Sequence, residues 1–154
     1  KESAAKLGST LKSRVIEGLA ASGPAATLEM CSQEAQGITA LVAGDSGARV
    51  GRASTKLRNP TNAGPEWVQA WLAEVENTPV GEIDPISEVV DVDGKKVAHF
   101  VAPIAIAEPC MLCPGEVSAE VQAKIDASYP EDKATGYTRD QLRGAIWAEV
   151  DVGS

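Results

Sequence analysis

The stretch "ISEVVDVDGKKVAHFVAPIAIA", Ile86 to Ala107, decides the fold. Two Val/Ile-rich runs flank Asp93-Gly94, a dipeptide suited to a tight turn with positive φ at both residues. The pattern predicts a β-hairpin. Alternation along its second run sets His99 on one face with Val97 and Val101, and Phe100 on the other.

Working outward, "LRGAIWAEVDV" reads as a last strand, and strand alternation recurs around Val50. Upstream, Leu7, Leu11, Val15, Ile16 and Leu19 recur at helical spacing until Gly23-Pro24 breaks the pattern, which predicts an N-terminal helix within residues 1–24. A second helix follows with Leu28, Cys31, Ala35, Ile38 and Leu41 on one side, so Cys31 points inward. A loop punctuated by Asn59-Pro60, Asn62 and Gly64-Pro65 leads into "PEWVQAWLAEVEN". That segment is a short helix with proline in its first turn, expected to bury Trp67, Trp71 and Val75. "VSAEVQAKIDASYP" is a further helix with Ser118 as its cap. Helices first, then an antiparallel sheet with helical insertions, make the chain α+β, one domain over residues 1–154.

Composition narrows the function. At 154 residues the chain is long enough for a real core, which Val, Ile, Leu and Ala must largely build because aromatics are only 4%. A formal charge of −8 argues against nucleic acid and against docking on anionic lipid. No apolar run approaches the roughly 20 residues of a membrane span, and the first residues are polar rather than signal-like. There is no Ser/His/Asp arrangement and no phosphate loop, so catalysis is not expected.

The chemistry concentrates in "AEPCMLCPGEV", Ala107 to Val117. Cys110 and Cys113 have the C-x-x-C spacing of a haem attachment site, a dithiol or disulfide, or half of a zinc site. Cys31 and His99 would be needed to bring a zinc site to four ligands. Three cysteines are an odd number, so one disulfide leaves one thiol over, and a cofactor engaging all three would resolve this.

"EMCSQEA" (Glu29 to Ala35), "VGRASTKLRNPTNA" (Val50 to Ala63) and "PIAIAEPCMLCPGEV" followed by "YPEDKATGYTRDQLRGAIWAEV" together resemble one family. It is the periplasmic c-type haem domain once catalogued as a domain of unknown function, found alone and as the sensor part of bacterial signalling proteins. The resemblance implies a PAS-like antiparallel sheet packed by long N-terminal helices, in a periplasmic or extracytoplasmic protein. It also implies haem c held through thioethers at Cys110 and Cys113, with Cys31 as an axial ligand. The family's ligand histidine after the second cysteine is replaced by Pro114, which offers no donor atom.

His99 is the sole histidine, so any imidazole ligand must be this one, provided its face lines the pocket. Arg52 and Arg58, within the second matching stretch, are candidates for haem propionates or a small anionic ligand, because planar guanidiniums grip carboxylates bidentately. The competing reading is that they fix the proline-rich loop. The expected function is a haem-binding sensor or one-electron-transfer domain, with a small gas or a redox protein as partner and a homodimer through the N-terminal helix. The alternative is a haem-free ligand-binding or structural module with a Cys110–Cys113 disulfide.

Overall fold

The computed structural model describes residues 1–106, 117–138 and 140–153. Cys110, Cys113 and Pro114 therefore lie outside the described residues. The first element, α1 (Glu2–Ser46), is two helical arms joined at Gly23, whose φ of 77° and ψ of −179° lie outside the helical region. At that φ a side chain is strained, and the proline that follows cannot continue a helix through it. The arms lie side by side and antiparallel. Lys6 reaches Asp45 and Arg14 reaches Glu34, at 2.9 and 2.7 Å.

Strand β1 (Arg49–Ala53) follows, then a 3-10 turn at Pro60–Asn62 and helix α2 (Glu66–Val75). The expected hairpin is β2 (Ile86–Val92) and β3 (Lys95–Ala105), with Asp93 and Gly94 both at positive φ. Helix α3 (Ala119–Ser128) starts at Ser118, whose hydroxyl accepts from the Val121 N–H, and β4 (Leu142–Gly153) completes the chain. The sheet order is β1-β4-β3-β2, antiparallel throughout. This is the α+β architecture that the hydrophobic pattern predicts, with helices on both faces of one sheet.

Each face has its own core. The arms of α1 cover one face, where Ala4, Leu7 and Val42 meet Val50 and Ala148. Helix α2 covers the other, where Val68, Trp71 and Leu72 meet Ala53, Val101 and Ala145. Trp67 and Val75, expected in that core, are only partly buried at its edge, while Val68 and Leu72 are fully enclosed. Helix α3 packs Val121 and Ile125 on Ala25 and Leu28 of the second arm.

One position of the second arm corrects the sequence reading. Leu41, expected to face inward, is 70% exposed, and Val42 takes the buried place at 4%. At about 100° per residue, position 41 lies roughly 140° around the helix from Leu28, whereas position 42 falls within about 40° of it.

The close approach of β1 and β4 depends on a glycine. In β4, Gly144 pairs with Ile104 and Leu142 pairs with Ala105, so the register shifts and Arg143 is the extra residue of a bulge. Gly144 has φ of 156°, and a Cβ there would strike the carbonyl oxygen of Ala53. Gly144→Ala is therefore expected to destabilise the fold by at least about 2 kcal/mol in denaturant titration. Gly37→Ala, in the second arm with no atom within 4 Å of the added methyl, should instead stabilise by about 0.5–1 kcal/mol.

Candidate cofactor pocket

A cavity of about 260 Å³ lies between the α1 arms and the end of the sheet that carries the bulge. Leu19 of the first arm and Leu28 of the second, with Ile104 and Ile106 at the end of β3, give it apolar walls. Cys31, Tyr129 and three arginines, Arg52, Arg58 and Arg143, supply its reactive and polar surface. The sequence places these groups far apart. The folded-back second arm brings Cys31 over the sheet face on which Arg52 stands.

Cys31 is a free thiol of intermediate exposure. Burial raises its pKa from the ordinary 9.0, and the nearby Arg52 cation opposes that rise without cancelling it. The group is thus a neutral thiol near neutral pH. Tyr129, at the C-terminal end of α3, is likewise held protonated by burial.

The arginines differ in how they are engaged. Arg58 donates from Nε to Asp132 at 2.9 Å and from a terminal nitrogen to the Ala134 carbonyl at 3.1 Å. Asp132 also accepts from the Ala134 N–H, so this pair ties the Pro60 loop to the segment after α3. These contacts support the loop-anchor reading, while the side chain still reaches the cavity wall. Arg143 donates to Ser54 Oγ at 3.1 Å and to the Lys56 carbonyl at 3.3 Å, both neutral acceptors. Arg52 is the outlier: its Nε is buried and has no hydrogen-bond partner. An unpaired buried donor costs about 1–3 kcal/mol, more when charged, and calls for an explanation.

His99 lies elsewhere. It is 7% exposed on the α2 face of the sheet, stacked on Trp67 at 4.1 Å with 7° between ring planes. Trp67 Nε1 donates to Glu149 Oε2 at 2.9 Å, Arg49 ion-pairs with the other carboxylate oxygen, and His99 Nε2 is 3.7 Å from Glu149. Cys31 and Arg52 occupy the opposite face, so the sheet separates this histidine from the cavity. The condition on which His99 could serve as a ligand, that its face lines the pocket, is not met; it is a packed histidine, and the sheet also parts it from Cys31 as a zinc partner. Among the described residues, no group of three His, Cys, Asp or Glu is placed to hold a metal ion.

Arg143 is the functional candidate that sequence reading passed over. Its signal is an isolated glycine directly after it inside a strand, which marks a bulge and hence a redirected side chain.

The chain matches the family described as Tll0287-like over residues 3–150. It belongs to the Tll0287-like family. In fold, this family member is similar to the crystal structure of the cyanobacterial heme-protein Tll0287. The TM-score is 0.71 at 20% identity, covering 95% of this chain and 91% of that chain. No curated protein matches it. No helix among the described residues is long and apolar enough to cross a membrane.

The buried state of Cys31 has a direct chemical readout. Iodoacetamide modification of the Cys31 peptide, followed by mass spectrometry against pH, should stay slow at pH 8 and rise only above the ordinary thiol value of 9.0. A midpoint below that value would mean that Arg52 outweighs burial.

Proposed function

We propose that the protein is an extracytoplasmic haem-binding domain that acts as a sensor or in one-electron transfer. The observation carrying this reading is the cavity that joins an inward thiol, Cys31, to an apolar wall and to the unpartnered Arg52. These residues fit a group with an apolar body, a metal that accepts a thiolate and a carboxylate edge. Family membership supports it, as does the name of the structurally similar cyanobacterial heme-protein. The segment bearing Cys110 and Cys113 leaves the described fold at Ile106, which lines the cavity. It rejoins at Val117, which packs against the Leu28 cluster.

In this reading Cys110 and Cys113 would attach the haem, Cys31 would supply a thiolate to its iron, and Arg52 would face the propionates. A bound haem of this kind supplies one-electron exchange, or an open position for a small gas, with electron density pushed to iron by the thiolate. Cys31 must release its proton to ligate, so loading should become easier as pH rises. Leu28, Ile104 and Ile106 exclude water, which strengthens every charge interaction within the cavity.

The absorption spectrum tests this. Protein matured with a haem-attachment system should show a Soret band that survives acid-acetone extraction, and Cys31→Ser should shift the ferric bands and raise the potential. A colourless protein would sink the proposal. The proline after Cys113 yields a further expectation. Pro114→His should move the spectrum towards a six-coordinate low-spin form and weaken carbon monoxide binding. If neither changes, the iron face opposite Cys31 is already filled.

A second reading draws on two observations. Residue 114, where the resemblance places a ligand histidine, is a proline, and a cavity of about 260 Å³ lies below the roughly 300–1,000 Å³ usual for small-molecule sites. Both favour a haem-free module that takes a smaller carboxylate ligand, its Cys110 and Cys113 joined as a disulfide. The same spectrum separates the two readings.

A further inference from the structure

Three arginines line one cavity, yet only one of them is neutralised by a carboxylate. Arg58 has Asp132. Among the described residues neither Arg52 nor Arg143 makes an ion pair. Arg143 is held by neutral partners, the oxygens of Ser54 and Lys56 and the ring of Tyr137 at 5.4 Å, and Arg52 Nε is buried with no acceptor. The two cations also stand near enough to oppose each other. Burial first, and then the charge of Arg143, lowers the pKa of Arg52. Burial likewise lowers that of Arg143. An arginine does not escape this by losing its proton, so the repulsion is relieved only by an anion.

The pair is positioned by separate devices. Arg52 stands on the α1 face of β1, in alternation with Val50 of that core. Arg143 comes from β4, where the bulge beside Gly144 redirects it. Ser54 holds it there. Its hydroxyl donates to the Arg143 carbonyl at 2.8 Å and accepts from the guanidinium at 3.1 Å. The remaining walls, Leu19, Leu28 and Ile104, are apolar.

We infer that Arg52 and Arg143 together form a carboxylate-binding pair, specific for a ligand that carries acid groups on an apolar body, and that Arg58 serves as loop anchor. For the Arg143 assignment to concern haem propionates, this rests on the haem reading above. The pair itself would equally grip a free dicarboxylate. Arg143 thus takes the place beside Arg52 that sequence motifs give to Arg58.

The test compares protohaem with its dimethyl ester, titrated into the full chain and followed by the Soret band. Wild type should bind the free acid at least about tenfold more tightly than the ester, because only the acid can meet both guanidiniums. Arg52→Lys and Arg143→Lys should each reduce that preference to about twofold or less, since lysine keeps the charge and loses the bidentate grip. Arg58→Lys should keep the preference and lower the melting temperature. Equal affinity of wild type for acid and ester overturns the carboxylate pair and leaves the haem reading standing. If neither porphyrin binds, the haem reading fails, and the pair is then read from melting temperature in millimolar succinate. A rise in wild type that either Lys variant abolishes supports it as a site for free dicarboxylates. No rise in wild type overturns it too.

Discussion

The contact on which the architecture turns is the approach of Gly144 to the carbonyl of Ala53. Strand β4 lies between β1 and β3, so its register sets the position of every other strand and of the helices on both faces. A side chain at residue 144 would push β1 away. With glycine there, the strands close and the bulge forms, and Arg143 turns to the side on which Arg52 already stands. The cavity is therefore a consequence of strand register as much as of the residues that line it.

The two faces of the sheet treat buried charge in opposite ways. On the α2 face a row of cross-strand partners, Glu88, His99, Glu149 and Arg49, runs over all four strands. Trp67 completes it by donating to Glu149 and stacking on His99. The carboxylate there, 4% exposed, has its hydrogen bond and its counter-charge. On the α1 face Arg58 is similarly matched by Asp132, but Arg52 is not matched. A polar group that is paired contributes to a defined core, whereas one buried without a partner stays costly until something binds. The first arrangement is structural, and the second is where a ligand has most to contribute.

Much of the fold was legible because it is local. The Asp93-Gly94 turn, the Ser118 cap, the break at Gly23-Pro24 and the alternation of β3 each depend on neighbours within a few residues. The same locality explains the errors. Leu41 was assigned inward from short-range spacing, although the phase of a helix accumulates over several turns. Trp67 was read as core because it is large and apolar. Its position at the core edge follows from the buried acceptor at Glu149, 82 residues away, which its indole N–H can reach.

The sequence by itself determined the class of the domain, its element order and the family motifs that draw attention to Cys31, Arg52 and Arg58. It also put a proline, Pro114, directly after Cys113. Tertiary structure alone decided which of these residues share a space. Alternation correctly assigned His99 to a face, but only the packing of α1 and α2 on opposite sides of the sheet shows that this face is not the one bearing Cys31. Arg143 entered the cavity group through a bulge whose register is a property of paired strands. Periodicity reports which way a side chain points relative to its own element. What it meets there depends on how elements far apart in the chain close on one another.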